Sequence, residues 1–276
     1  MKDLKNKVAV ITGAGSGFGR ELAILCAQEG MRLVLADIDE AGLKATRALL
    51  PANVETLLQR CDVSKPESVQ ALAEQTYARY GAAHLLFNNA GVAVAGPTWT
   101  TTLDEWRWVL GVNLMGVVHG VQSFVPRMLA QKDECHIVNT ASVAGLLSVP
   151  ASSVYCVSKH GVVTLSECLH HELQASGASI HVSVLCPAFV NTGIAESDRH
   201  RPAELAAANP LGAAYEARVR KAVRAGKLSA TDVAQITLDA VKADRFYILT
   251  HSNIKPAIEA RLRDILDERL PTNPMP

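Results

Sequence analysis

The sequence has no excess of either charge and few aromatic residues. Its 276 residues include 27 Lys and Arg and 27 Asp and Glu, so the formal net charge at pH 7 is zero. A nucleic-acid groove needs a basic excess to displace counterions, and we therefore expect no nucleic-acid partner. Aromatic residues make up 5% and hydrophobic residues 49%, which is too apolar for a disordered chain. Aliphatic side chains must fill the core of a globular protein.

Long hydrophobic runs and paired cysteines are also missing. The first apolar run, residues 8–11, is far shorter than the ~7–15 residues of a signal-peptide core. No window reaches the ~18 unbroken apolar residues of a membrane helix, so we expect no membrane association and a cytoplasmic location. The six cysteines are scattered without a CxxC pair, which is typical of reduced structural thiols and predicts no metal site.

Short Val, Ile and Leu runs alternate with amphipathic stretches along the chain. Several runs are continuous, as in parallel strands that helices cover on both faces. This pattern predicts an α/β fold with a doubly wound parallel sheet, in a single domain over residues 1–276. Strands are expected at residues 8–12, 32–37, 54–60, 84–88, 136–140, 180–185 and 246–249.

Two segments depart from this simple alternation. A long helix is predicted from about residue 104 to residue 128, and Pro126 near its end predicts a kink or a frayed last turn. Residues 188–228 are rich in alanine and carry the polar cluster Asp-Arg-His-Arg at 198–201. An insertion of this length in a compact domain is usually functional, and we interpret it as a substrate lid.

The first predicted strand runs into a glycine-rich turn and then into a helix. Such a turn lets backbone N–H groups and the helix N-terminus approach a pyrophosphate. The spacing is GxxxGxG, from Gly13, Gly17 and Gly19, in place of the more widespread GxGxxG. Taken alone, the glycines fit a structural turn equally well, because tight turns need glycine.

Asp37 ends the second predicted strand, 24 residues beyond Gly13. An acidic residue there suits the adenosine ribose, because its carboxylate accepts hydrogen bonds from the 2′- and 3′-hydroxyls and repels a 2′-phosphate. The alternative is a surface turn residue or an N-cap of the helix starting near Asp39. The context favours the ribose, and hence NAD over NADP.

Tyr155 and Lys159 stand four residues apart, so a helix there would place both side chains on one face. A free phenol has a pKa of ~10, and a nearby ammonium group can lower it by ~1–3 pH units. Such a phenol could exchange a proton with an alcohol or carbonyl oxygen, although Tyr–Lys pairs are also common on solvated helix surfaces.

Ser142 follows a predicted strand end, where ligands bind in open α/β sheets. Asn113 lies among apolar residues and needs hydrogen-bond partners, so a structural role and a proton-relay role are both open.

These motifs together resemble the short-chain dehydrogenase/reductase family. The resemblance spans residues 5 to about 193, with the TGxxxGxG loop, an NNAG run, the YxxxK pair and a Pro187…Thr192 segment in order. It implies a twisted seven-stranded Rossmann sheet and reversible hydride transfer between a nicotinamide cofactor and an alcohol or ketone. Ala188 stands where the family usually has glycine, and its methyl group can shift the backbone of the nicotinamide pocket.

Residue roles are also implied by the resemblance. Tyr155 would be the general acid/base, and Lys159 would lower its pKa and hold the nicotinamide ribose. Ser142 would hydrogen-bond the substrate oxygen, and Asn113 would hold a water that connects Lys159 to solvent. The implied cofactor site comprises Gly13, Ser16, Gly17, Phe18, Gly19, Asp37, Asp62, Val63, Asn89, Gly91, Tyr155, Lys159, Val190 and Thr192.

The family does not fix the substrate, so the pocket must be interpreted locally. We expect the pocket to be lined by Val94, Val143, Ala144, Leu146 and Phe189. The pocket segments before the lid carry no charge, which predicts an apolar secondary alcohol, bulky and aromatic ones included, and its ketone. A β-ketoacyl carrier-protein reductase is an alternative, for which Arg199 and Arg201 in the lid are the available basic residues. A non-catalytic nicotinamide-sensing scaffold is a second alternative, but all four catalytic residues are present.

By the same resemblance we expect a homotetramer, with a dimer as the alternative. In that family the helices carrying the asparagine and the tyrosine usually pair with their counterparts in a neighbouring subunit. The apolar positions Val157, Val162, Val163 and Leu165 are predicted to lie on the outer face of such a helix.

Overall fold

A computed structural model describes residues 1–206 and 209–275. Ala207 and Ala208, which belong to the predicted lid, and Pro276 lie outside the described residues. Seven strands are present, namely β1 Val8–Thr12, β2 Arg32–Asp37, β3 Thr56–Arg60, β4 Leu85–Asn88, β5 Cys135–Thr140, β6 Ile180–Cys186 and β7 Tyr247–Leu249. They form one parallel sheet in the order β3-β2-β1-β4-β5-β6-β7. The predicted fold class is confirmed, with strand ends that move by at most two residues.

Helices cover both faces of the sheet. They are α1 Gly17–Gln28, α2 Glu40–Ala48, α3 Pro66–Tyr80, α4 Leu103–Leu110, α5 Gly116–Gln131, α6 Ser153–Ala175, α7 Ala213–Arg224, α8 Ala230–Lys242 and α9 Lys255–Leu266. Ile11 of β1 packs into a core with α1 and α8, whereas its neighbour Val10 packs into a second core with α3 and α5. Because both faces of each central strand are buried, the strands appear in the sequence as continuous apolar runs.

The strand order reverses between β1 and β4. Ligands of open α/β sheets bind in the crevice at such a point, outside the carboxyl ends of the strands. The glycine turn follows β1 and the Asn-Asn-Ala-Gly run begins at the end of β4. The topology therefore brings these two segments to the same edge of the sheet.

The predicted long helix is interrupted at a place that the sequence did not indicate. Helix α4 passes into one π-helical turn, Gly111–Met115, and then into α5. Pro126 neither ends nor frays the helix, which continues five residues further to Gln131. The departure from α-helical geometry instead lies around Asn113, and π-helical turns are frequent at functional sites.

The combined helical stretch Leu103–Gln131 is long and apolar enough to cross a membrane by length and composition alone. Half of its most apolar window is buried inside the protein, where Phe124 and Met128 contribute to the core. Core helices of soluble proteins pass the same test, so this is weak evidence for a membrane span.

Two of the four apolar positions predicted on the outer face of α6 lie in the core. Val162 and Val163 are buried beside Val117 and Val184, because this side of α6 packs on the sheet. Val157 is the residue of this group that is clearly outside, with 49% of its surface exposed.

Candidate active site

The glycine turn between β1 and α1 has a shape that other residues cannot adopt. Gly13 and Gly17 have φ of +68° and +51°, in the left-handed region that favours glycine. A Cβ atom on Gly13 would lie 2.9 Å from the Cα of Ala90, and one on Gly19 would collide with the Gly13 carbonyl oxygen. Ser16 precedes α1 without a side-chain capping bond, so it leaves the first N–H groups of that helix to a ligand. This cradle fits the diphosphate of a dinucleotide.

Asp37 is held in place at the end of β2. Its Oδ2 accepts a hydrogen bond from the Gly15 N–H at 2.8 Å, and its Oδ1 accepts one from the Asp39 N–H at 2.9 Å. Asp39, and not Asp37, caps α2 through the Gly42 N–H. No cationic side chain lies within 4 Å of this carboxylate in the part of the chain that the structure describes, and Arg20 donates instead to Thr46 and to the Gly15 carbonyl. The Asp37 side chain is therefore free to select against a 2′-phosphate.

The neighbouring strand ends supply the other predicted cofactor residues. The Asp62 carboxylate accepts hydrogen bonds from the N–H and the hydroxyl of Ser64, at 3.0 and 2.7 Å. Asn89 donates from Nδ2 to the Thr12 carbonyl at 2.9 Å, which ties the end of β4 to the end of β1. Thirteen of the fourteen predicted cofactor residues line one cavity, and Gly19 lies behind the turn.

Three of the predicted catalytic residues meet in the wall of that cavity. Lys159 is buried, and its Nζ donates to the Thr140 carbonyl at 2.8 Å and lies 5.7 Å from the centre of the Tyr155 ring. Ser142 accepts a hydrogen bond from the Ala144 N–H at 3.1 Å and donates one to the Pro187 carbonyl at 3.3 Å. Because Tyr155 and Lys159 are one turn apart on α6, helix geometry alone brings them together.

Asn113 approaches this group from the π-helical turn. Its Oδ1 accepts from the Val92 N–H at 2.8 Å, and its Nδ2 donates to the Val92 carbonyl and to the Ser158 hydroxyl at 2.9 and 3.1 Å. A Cβ atom on Gly91 would lie 3.5 Å from Asn113 Oδ1 and 3.6 Å from Lys159 Nζ. Both polar groups therefore border the space over Gly91, and the relay through a water stays a prediction.

Burial has the largest effect on the pKa values of Tyr155 and Lys159. It raises the pKa of Tyr155 to about 12, and the hydrogen bond with the Ser142 hydroxyl acts in the opposite direction. It also lowers the pKa of Lys159 to about 8, against an opposing effect of Cys186. Burial determines the direction of the shift for Tyr155 in this structure, and the lowering of its pKa by Lys159 stays a prediction.

The cavity has a volume of about 760 Å³ and extends from Asp37 to the lid. Four of the five predicted pocket residues line it, namely Val94, Val143, Ala144 and Phe189. Leu146 is a correction, because it packs away from the cavity against the core around Val117 and Val162. The cavity wall also includes Leu147 and, from the predicted lid, Ile194, Tyr215 and Val219. Sequence reasoning missed two further apolar wall residues, Trp108 and Val149.

The C-terminal segment also reaches the cavity. Asn273, Pro274 and Met275 belong to its wall. The segment is held where the Thr272 N–H donates to Asp264 Oδ2 at 2.8 Å. No motif in the sequence indicates this contact, which depends on how the last helix packs.

The predicted lid is attached to helix α4 through a buried carboxylate. Glu105 caps α4 together with Thr102 and accepts a hydrogen bond from Asn209 Nδ2 at 3.0 Å. Arg201 lies 3.8 Å from Glu105, and its guanidinium carbon lies 4.7 Å from the centre of the Trp108 ring. Arg201 is therefore a structural anchor of the lid rather than a free basic group.

Comparison with known proteins agrees with this architecture. Residues 7–203 match the family described as short chain dehydrogenase. The chain is 36% identical over 280 residues to a "CLA biosynthesis dehydrogenase/reductase" from Lactiplantibacillus plantarum, which covers 98% of this chain and 97% of that protein.

Solved structures of similar fold include members of the same family. A short-chain dehydrogenase/reductase from Burkholderia phymatum, crystallised in complex with NAD, is 50% identical over all of both chains, with a TM-score of 0.96. A levodione reductase is 28% identical, with a TM-score of 0.77, over 92% of this chain and 99% of that chain. The chain belongs to the short-chain dehydrogenase/reductase family and is an oxidoreductase.

Proposed function

We propose that this protein is an NAD-dependent dehydrogenase that interconverts an apolar secondary alcohol, bulky and aromatic ones included, and its ketone. The observation that carries the proposal is one continuous cavity, with Asp37 at one end and Tyr155, Lys159 and Ser142 beside apolar walls at the other. The similar Burkholderia structure in complex with NAD supports the cofactor. The similar levodione reductase supports a reductase activity on this scaffold.

The chain's own residues would transfer the proton and hydrogen-bond the substrate oxygen. When bound, NAD supplies the hydride acceptor for oxidation, and NADH supplies the hydride donor for reduction. In oxidation, deprotonated Tyr155 accepts the alcohol proton, and in reduction the Tyr155 phenol returns a proton to the carbonyl oxygen. The Ser142 hydroxyl hydrogen-bonds the same oxygen, and the Lys159 ammonium stabilises the phenolate.

A panel of ketones and secondary alcohols, assayed with both cofactors, tests the proposal. We expect turnover of at least one apolar secondary alcohol with NAD and of its ketone with NADH. Matched substrates that carry a primary alcohol or an aldehyde serve as controls for the reacting carbon. A protein that binds NADH but converts no member of the panel would contradict the proposal.

Alcohol oxidation is expected to become faster with rising pH. The base in this direction is the Tyr155 phenolate, and burial raises the pKa of Tyr155 to about 12, so the phenolate fraction grows throughout the range below that value. Ketone reduction needs the protonated phenol, so kcat for reduction should not increase with pH as kcat for oxidation does. The measurement is kcat for both directions between about pH 6 and pH 10, with chemistry rate-limiting. A flat oxidation profile would exclude Tyr155 as the titrating base.

The oligomeric state is a further prediction. We propose a homotetramer of this 29.5 kDa chain in the cytoplasm, with the exposed Val157 side of α6 in a subunit contact. Sedimentation at micromolar concentration should show a species of about four chain masses. A Val157→Asp variant should weaken the assembly, whereas Gln75→Asp, at an exposed position of α3, serves as the control. A wild-type protein that sediments as a monomer would refute this prediction.

A further inference from the structure

Two arginines of the lid line the same cavity as the catalytic groups. Arg199 lies in the short helical segment Gly193–His200, and Arg218 lies on α7. The acidic residues in the described part of the cavity wall are Asp37 and Asp62, and both belong to the cofactor end. The lid end of the cavity therefore carries cationic side chains without an acidic one.

Arg199 is the less available of the two. Its Nη1 donates to the carbonyl oxygens of Gly193 and Glu196, both at 2.8 Å. It also lies near the glycine turn. Gly193, whose carbonyl it binds, follows Thr192, and the Thr192 Cβ lies 3.4 Å from where a Cβ of Gly17 would be. This position suits the cofactor diphosphate better than the far end of a substrate.

Arg218 has no acidic partner within 4 Å and no hydrogen-bond acceptor among the described residues. Its guanidinium carbon lies 5.6 Å from the centre of the Tyr215 ring, which also lines the cavity and orients the arginine. Two acids of the lid, Glu196 and Asp198, already have partners, in the pairs Glu196–Arg224 at 3.2 Å and Asp198–Arg201 at 2.8 Å. A guanidinium with an unused donor fork beside a cavity is suited to bind a carboxylate in a bidentate way.

We propose that the substrate is amphipathic, with a secondary alcohol or ketone on an apolar body that also bears a carboxylate, and that Arg218 binds this carboxylate. This inference rests on the proposed function, because it extends the same cavity. The apolar walls formed by Trp108, Ile194 and Val219 would cover the body of the substrate. The Arg218 fork would fix the distance from the carboxylate to the reacting carbon.

Turnover of a matched pair of substrates tests the inference. The pair is a medium-chain keto acid with an internal ketone and its methyl ester, which differ in charge and keep the same reacting group. We expect wild-type kcat/KM to favour the acid by about tenfold or more, as for a charge-assisted hydrogen bond. Arg218→Gln should lower kcat/KM for the acid and remove this preference, so that the acid and the ester give similar kcat/KM values. Arg220→Gln is the matched control, because Arg220 lies on the same helix outside the cavity wall.

A binding measurement separates this inference from the proposed function. Isothermal titration calorimetry of the NADH-saturated protein would compare a saturated medium-chain acid with its methyl ester. We expect tighter binding of the acid in wild type and in Arg220→Gln, and equal binding of both in Arg218→Gln. Acid-selective binding without any turnover would refute the proposed reaction and support the anion site. Equal binding of acid and ester by wild type, binding of neither, or an unchanged acid preference in Arg218→Gln would overturn the inference.

Discussion

Tyr155→Phe should lower kcat for ketone reduction by ~10²–10⁴-fold, the usual contribution of general acid–base catalysis. The substitution keeps the aromatic ring in the wall of the cavity and removes the hydroxyl on which the Ser142 side chain acts. The KM for NADH should change little, because the glycine turn and Asp37 are untouched. The measurement is steady-state kinetics with a ketone that the wild type reduces.

The control for this variant is Tyr247→Phe. Tyr247 donates from its hydroxyl to Glu167 at 2.6 Å and does not line the cavity, so its loss should leave kcat within about twofold. If Tyr155→Phe kept more than about a tenth of the wild-type kcat, the proton would have to come from another group. The assignment of Tyr155 as the acid/base would then be wrong.

Asp37→Ala should change the cofactor that the enzyme prefers. A 2′-phosphate carries close to two negative charges, and placing it against the fixed Asp37 carboxylate without a cation costs several kcal/mol. We therefore expect wild-type kcat/KM to favour NAD over NADP by about 100-fold or more. Removing the carboxylate should raise kcat/KM with NADP and lower it with NAD, because the ribose hydroxyls lose their acceptor.

Asp39→Ala is the matched control for the cofactor preference. It removes a carboxylate two residues away that caps α2 through Gly42, and should cost stability of about 1 kcal/mol without changing the preference. A native preference for NADP, or no gain in NADP use by Asp37→Ala, would show that Asp37 is not the selector. Arg20 would then be the residue to examine, although its guanidinium is held by Thr46 and Gly15 in this structure.

The strands and the order of the motifs could be predicted from the sequence because local patterns determine them. Residues 8–12 form a continuous apolar run followed by glycine, and this run is β1 from its first residue to its last. Tyr155 and Lys159 lie together because four residues are about one helical turn. Each of these inferences needs only the spacing along the chain.

Other features depend on packing between distant segments. The sequence predicts one continuous helix in this region, and it gave no sign of the π-helical turn Gly111–Met115 that carries Asn113. Leu146 and Leu147 are adjacent and equally apolar, yet one packs in the core and the other lines the cavity. The pKa of Tyr155 depends on how completely the fold buries the phenol, which a count of nearby charges does not include.

Transfer of deuterium from NADH labelled at C4 of the nicotinamide ring to a ketone tests the central claim most directly. If the cavity performs hydride transfer as proposed, the alcohol formed with the correctly labelled face of NADH carries one deuterium on the carbon that bears the hydroxyl. The Tyr155→Phe variant should form the same labelled alcohol more slowly, because the proton donor and not the hydride donor is lost. An alcohol that carries no deuterium with label on either face of the ring would contradict direct hydride transfer in this protein.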